Sequence, residues 1–180
     1  MKTLIIKTVR LEIRNLQAKD LEDFNVYRSN PEISKYQGFD VQSLEESKVF
    51  IERQSDKKFG KPGEWVQYGI VNSKTGRLIG DCAIKLEEDI RIATIGITLS
   101  HKEHKKGYAK EAMFGILEFL FSKEDFHRVE EIVDTENTAS INMLESIGFR
   151  KEGHFVENIF FNGKWGSEYQ YAMNKSDWLA

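Results

Sequence analysis

The chain is poor in the residues that staple or interrupt a fold. It has a single cysteine, Cys82, in 180 residues, so no intrachain disulfide can form. Cys82 falls in an apolar strand pattern and reads as core filler rather than as a nucleophile. There are only two prolines, and no repeat, linker or low-complexity stretch breaks the pattern. No run approaches the ~20 apolar residues that cross a bilayer. The opening MKTLIIKTVRLEIR has too short an apolar stretch for a signal peptide. A cytoplasmic protein without a membrane partner is expected. A strong charge of one sign is also lacking: 26 basic residues stand against 29 acidic ones, a formal net charge of −3. That balance argues against a general nucleic-acid binder.

What is present suits one domain over residues 1–180 with one core, since 40% of the chain is hydrophobic and 12% aromatic. Leu4 to Leu16 alternates as one strand, interrupted near Thr8. Asp20 is the expected cap of a helix running to Arg28, which Ser29-Asn30-Pro31 stops. Ser34 to Phe39 reads as a loop. Ser43 and Glu46 form a capping box for a helix reaching about Gln54. Trp65–Val71, Leu78–Leu86 and Ile92–Leu99 read as strands, with Thr75-Gly76 as the first turn. A helix over residues 107–122 follows, then strand Val129–Asp134 and a helix over 138–147. Strands Phe149–Phe161 and Lys164–Met173 close the chain, joined at Asn162-Gly163. This pattern alone implies a mixed α/β domain with one sheet.

The richest segment is IATIGITLSHKEHKKGYAKEA, residues 92–112. An apolar strand enters a loop holding His101, Lys102, His104, Lys105 and Lys106, and Gly107-Tyr108-Ala109 opens a helix. First-turn amides lack intrahelical acceptors, and the helix dipole makes that end positive. A small residue at the turn lets a phosphate approach. Residues 104–110 therefore read as a phosphate or pyrophosphate cradle. Ala109, Ala112, Met113, Ile116, Leu117 and Leu120 give the following helix one apolar stripe. The Walker pattern GxxxxGK[ST] is absent, and so is the dinucleotide fingerprint GxGxxG.

The loop His104-Lys105-Lys106-Gly107-Tyr108-Ala109 resembles the pyrophosphate loop of the GNAT superfamily of N-acetyltransferases, Gln/Arg-x-x-Gly-x-Gly/Ala. The run Gly107 to Ala112 is similar to the branch related to ribosomal-protein N-terminal (alanine) acetyltransferases. Two departures are His104 for Gln or Arg and Lys105 for a frequent glycine. A second block, DTENTASINMLESIGFRKEG at 134–153, matches the same family through Asn137, Ser140, Glu145, Gly148, Phe149, Glu152 and Gly153. Asn137 or Thr138 can cap that helix, and Gly148 suits its left-handed end. The two motifs stand in the family's order, about 30 residues apart, and the resemblance spans essentially the whole chain.

The resemblance implies the acyl-CoA N-acyltransferase fold, a mostly antiparallel splayed sheet with flanking helices, and acetyl-CoA as co-substrate. Backbone of Ile97, Thr98 and Leu99 would pair with the pantetheine arm. Residues His104, Lys105, Lys106, Gly107, Tyr108, Ala109 and Lys110 would hold the pyrophosphate, and Asn137 the pantetheine amide. The implied reaction is direct transfer of acetyl to a primary amine, of a peptide N-terminus or of a small molecule such as an aminoglycoside-like amine, a polyamine or an amino acid. Where many relatives hold an acidic Tyr, this chain has Leu144, so Ser140 is the substitute for assisting the leaving sulfur. Glu157 is a candidate base, with Asp134, His154 and Glu168 (beside Ser167) or ordered water as alternatives. Tyr27, Tyr36, Gln37, Phe39, Trp65, Phe160 and Trp165 are offered to the acceptor. No metal site is expected, and the final hairpin makes a homodimer an expectation. Two other readings are a catalytically silent acyl-CoA-binding sensor, favoured by Leu144, and a nucleic-acid module using the basic patch at 101–110, opposed by the acidic net charge.

Overall fold

The computed structural model describes residues 2–36, 42–88, 91–161 and 163–178. The chain begins with a hairpin of β1 (Ile5–Lys7) and β2 (Leu11–Asn15), where one interrupted strand is expected from the alternation. The reason is local. Thr8 Oγ1 accepts from the Leu11 amide at 3.0 Å, and Val9 projects almost fully into solvent, so the chain turns back on itself. Asp20 is not the side-chain cap of α1 (Leu21–Arg28). It is buried instead, bonded to the Gln17 amide at 2.8 Å and to both terminal nitrogens of Arg14 at 2.7 and 2.9 Å. Pro31 ends α1 and opens a single turn, α2 (Pro31–Ser34), where Pro is favoured because the missing N–H has no acceptor. The Ser43–Glu46 capping box starts α3 (Leu44–Ser55) as expected.

Strands β3 (Trp65–Asn72), β4 (Leu78–Leu86) and β5 (Ile92–Leu99) form an antiparallel meander. Then come α4 (Tyr108–Glu118), β6 (Arg128–Asp134), α5 (Thr138–Ser146), β7 (Arg150–Phe161), β8 (Lys164–Asn174) and a last turn α6 (Lys175–Trp178). The helix expected to run to residue 122 changes winding: Phe119–Lys123 forms a π turn in which Phe119, Leu120 and Phe121 are all buried. The sheet order is β1-β2-β3-β4-β5-β6-β8-β7. One face carries α1 and α3 over Leu16, Phe24, Tyr27, Ile51, Val71 and Leu78. The other carries α4 and α5 over the larger core, which includes Ile13, Ile84, Ile95, Met113, Ile116, Leu144 and Tyr171.

One pairing in this sheet is incomplete. Only β5 and β6 run parallel, and they pair through three residues: Ile92 with Arg128, Ala93 with Val129, Thr94 with Glu130. Beyond Thr94, β5 keeps its partner β4 as far as Leu99, while β6 keeps β8 as far as Asp134. The sheet therefore opens into a wedge whose two walls are each held from behind. Backbone groups lining such a gap are unpaired donors and acceptors, ready for an extended ligand.

Candidate functional site

The wedge ends at the loop that the sequence marks. After Leu99, one 3-10 turn (His101–Glu103) leads to His104 in extended conformation. Lys105 has φ 60° and Gly107 φ 79°, so two left-handed residues flank Lys106. This double bend turns the chain into α4, whose first-turn amides face the loop. Gly107 takes that conformation freely, whereas a lysine in it costs about 1–2 kcal/mol. Lys105 thus occupies the place where the family often has glycine because that place requires positive φ.

Side chains tie the loop to its surroundings. His104 Nε2 lies 3.0 Å from the Leu99 carbonyl, at the end of the wedge wall. Lys106 pairs with Glu103 at 3.0 Å, and Lys110 reaches the Ser146 carbonyl at the end of α5 at 3.2 Å. Lys105 makes no ion pair or side-chain hydrogen bond among the described residues, so its charge is uncommitted. From the β1–β2 turn, Arg10 reaches Glu111 and the Lys106 carbonyl. Burial works against ionisation of Glu111, but hydrogen bonds from Thr8 and Arg10 hold its carboxyl below the usual range. An extended arm in the wedge and a pyrophosphate on the loop fit these residues.

Across the wedge, Asn137 caps α5 by accepting from the Ser140 amide at 3.2 Å. The Ser140 hydroxyl is half-buried and has no hydrogen-bond partner among the described residues. Leu144 is completely buried in the core, and Gly148 ends the helix at φ 97°. On β6, Ile132 and Asp134 face one side of the sheet, and Glu131 and Val133 the other. Glu131 is buried with its Oε2 unpartnered, and burial pushes its carboxyl up to about 8.

On the Asp134 side a cavity of about 300 Å³ opens between the end of α2 and the strands β6, β7 and β8. Its carboxylates are Asp134, Glu136 and Glu168, its cations Lys35 and Lys164, and its aromatic wall Tyr36 and Phe161. Asp134 and Glu168 are cross-strand partners. Lys164 pairs with Glu136 at 3.2 Å, whereas Asp134 and Glu168 have no ion-pair partner among the described residues.

A family model described as acetyltransferase (GNAT) domain matches residues 10–150. The chain belongs to the GNAT acetyltransferase family. The uncharacterized N-acetyltransferase YnaD of Bacillus subtilis is 30% identical over 173 residues, covering 96% of this chain and 98% of that one. A GNAT-family acetyltransferase from Bacillus anthracis, solved by crystallography, is 28% identical with a TM-score of 0.87, covering 96% and 99% of the two chains. Spermidine N-acetyltransferase from Vibrio cholerae, solved with CoA and spermine, shares the fold at a TM-score of 0.81 and 22% identity, covering 96% and 100%.

This GNAT protein is an acetyl-CoA-dependent N-acetyltransferase. The alternative of a silent acyl-CoA-binding sensor finds no support among these relatives. The mixed fold with its open, mostly antiparallel sheet is the one the resemblance implies. No described helix is long and apolar enough to cross a membrane.

The structure brings together some of the acetyltransferase residues read from the sequence and separates others. Asp134, Glu168 and Tyr36 line one cavity. Glu157 does not line it. Glu157 has φ 48° in a bulge on β7, its side chain is exposed, and its amide donates to Ser167 Oγ at 2.9 Å. His154 is exposed and packs at a tilt against Tyr169, 4.9 Å between centroids. Tyr27 is not an acceptor contact: it is fully buried, its hydroxyl bonded to Asp81 at 2.5 Å. Asp81, also fully buried, accepts from Arg28 and Gln67 as well, locking α1 to the sheet. Trp65, Phe160 and Trp165 are exposed outside the cavity lining. Gln37, Phe39 and the turn residue Asn162 lie outside the described residues. Cys82 is buried filler whose thiol is pushed well up by burial. Arg10 was not marked by the sequence, because the groups it meets are about 100 positions away.

Proposed function

We propose that the acetyl donor lies in the β5–β6 wedge, with its pyrophosphate on residues His104 to Lys110, and that a small cationic amine enters through the Asp134–Glu168 cavity. The observation that carries this reading is the cavity itself. Two cross-strand carboxylates without cation partners open on the sheet face opposite α4, where β6 has left β5. A carboxylate pair attracts an ammonium group and can then take the proton the amine must lose to become a nucleophile. Backbone of Ile97, Thr98 and Leu99 would hold the pantetheine arm, with Asn137 on the opposite wall.

In the proposed reaction the neutral amine attacks the thioester carbonyl. A C–N bond forms, the C–S bond breaks, and the amine proton passes to Asp134 or Glu168, directly or through water. The Ser140 hydroxyl, free of other partners, would hydrogen-bond the departing sulfur. Glu157, exposed on the β7 bulge outside the cavity lining, would receive the proton only after it leaves the cavity. With Lys164 paired to Glu136, the Asp134–Glu168 pair suits one ammonium group, and the spermidine acetyltransferase that shares this fold supports polyamines among the candidate amines.

A second reading, a peptide N-terminus, is favoured by Phe160 and Trp165. Their rings meet at 5.4 Å and remain 60% exposed on the face of the β7–β8 hairpin turned away from the cavity lining, a surface suited to a chain rather than to a small ion. Calorimetric titration with acetyl-CoA, then thiol release with spermidine, a diamine and short peptides, tests both readings. One-to-one binding with turnover of polyamines supports the first reading. Turnover of peptides alone replaces it with the second, and absence of acetyl-CoA binding removes both.

A further inference from the structure

We propose that Arg10 is the positioning residue of the phosphate loop and supplies a cation to the donor's phosphates. This rests on the assignment of residues 104–110 as the cofactor loop. The hairpin turn between β1 and β2 is far from that loop in sequence, yet Glu111 clamps the two together. Its Oε1 accepts from Thr8 Oγ1 at 2.6 Å and from the Arg10 amide at 2.7 Å, and its Oε2 accepts from Arg10 Nε at 2.5 Å. One carboxylate thus fixes both the backbone and the side chain of Arg10.

So fixed, the guanidinium does three things. Nη1 donates to the Lys106 carbonyl at 3.1 Å, in a peptide group between the two left-handed residues. The guanidinium carbon lies 4.4 Å from the centre of the Tyr108 ring, which Asn72 steadies through a 3.2 Å bond to its hydroxyl. Nη2 lies 3.5 Å from where a β-carbon on Gly107 would sit, at the mouth of the cradle. A strained backbone persists only when its surroundings over-determine it, and Arg10 supplies a constraint at one of the two peptide groups between the bends. The Arg10 side chain is also 44% exposed, so a ligand can reach it.

Charge points the same way. Glu111 in the first turn of α4 suits the helix dipole but would repel a phosphate bound there. Arg10 cancels that charge and leaves donors over on the phosphate side. The planar fork is what makes this arrangement, so lysine is not its equivalent.

The test compares two donors that differ only in the part Arg10 is said to serve. Acetyl-CoA carries the phosphates, and S-acetylpantetheine does not. In Arg10→Gln, the Kd for acetyl-CoA by calorimetry should rise by about tenfold or more, while that for S-acetylpantetheine by thermal shift stays within about twofold. Arg10→Lys should fall between, keeping the charge without the fork. Unchanged acetyl-CoA affinity in Arg10→Gln overturns the proposal, and so does an equal loss with both donors, which marks a purely structural residue. Should Arg10→Gln not fold, Arg10→Lys carries the same comparison and the same criteria. If the unaltered protein binds both donors equally, the loop assignment has failed first, and that outcome is visible before any variant is made.

Discussion

The two ends of the wedge are built on different principles. At the end we propose for the donor, the available groups are backbone amides, and the local sequence dictates their arrangement: a left-handed Lys105, a left-handed Gly107 and a helix start. At the end we propose for the acceptor they are side chains, delivered by β6, β8 and the end of α2, and no short segment contains them. A backbone site tolerates exchange of its side chains but not of its dihedral angles. A side-chain site has the opposite sensitivity. On the proposed assignment, the difference teaches where specificity would change without loss of the donor: at Asp134, Glu136 and Glu168, not at 104–110.

The largest effect should come from removing both carboxylates that lack a cation partner, although Asp134 accepts from the Glu136 amide at 2.7 Å and Glu168 from Asn158 Nδ2 at 2.6 Å. Asp134→Asn with Glu168→Gln is expected to lower kcat/KM for the amine by ~10²–10⁴ while acetyl-CoA affinity stays within about twofold. Thiol-release kinetics and calorimetry read the two quantities separately, and a parallel loss of both would erase the distinction between the ends. Next comes Gly107→Val, which forces a β-branched residue to positive φ and should weaken acetyl-CoA by at least about tenfold. Its amine KM should hold, and an unchanged Kd would show that the loop is not the phosphate site. Ser140→Ala sharpens the comparison, because Ser140 is proposed to serve the departing sulfur rather than either binding end. It should lower kcat by a few-fold with less change in either KM, and equal kinetics would reduce Ser140 to a helix-turn residue.

The smallest effect on turnover belongs to Glu131, buried on the opposite face of β6. Its folded-state carboxyl, raised by burial from 4.5 to about 8, stays protonated over a range in which the unfolded chain is ionised. The folded state therefore binds the extra proton, and stability falls as pH rises between those values, by up to ~1.4 kcal/mol per pH unit. Glu131→Gln should flatten that slope in thermal or urea denaturation across the window. An unchanged pH profile would show that the carboxyl has a partner or access to water.

Much of the fold was legible because its signals are local. The capping box at Ser43, the strands Leu78–Leu86 and Ile92–Leu99, and the Gly148 stop stand where the pattern puts them. The misses share one cause. Asp20 has the right spacing for a cap but finds Arg14, a stronger charged partner six residues back at the end of β2. Tyr27 has the amphipathic look of a ligand contact, yet its hydroxyl is spent on Asp81, 54 positions away. The Asp134–Glu168 cavity was legible only in fragments: Asp134, Glu168 and Tyr36 were each marked, but nothing in the sequence says that they share a wall. Leu144 illustrates the converse, since its burial was foreshadowed by apolar periodicity while its chemical silence was seen only against the family.

The bulge that lifts Glu157 out of register has a consequence for how the protein behaves among its own copies. Strand β7 is the outer edge of the sheet, 12 residues long, with Phe155, Val156 and Phe160 in solvent. A long, flat, apolar edge is a template on which other strands add. Here the ladder to β8 breaks between Phe155 and Ile159, where Val156, Glu157 and Asn158 stand against Ser167 alone. An incoming strand can follow neither half for more than a few residues before its register fails. The opposite edge, β1, offers only three residues. Both margins of the sheet are thus poor seeds for amyloid-like growth, and straightening the β7 bulge by deletion within 156–158 would create one.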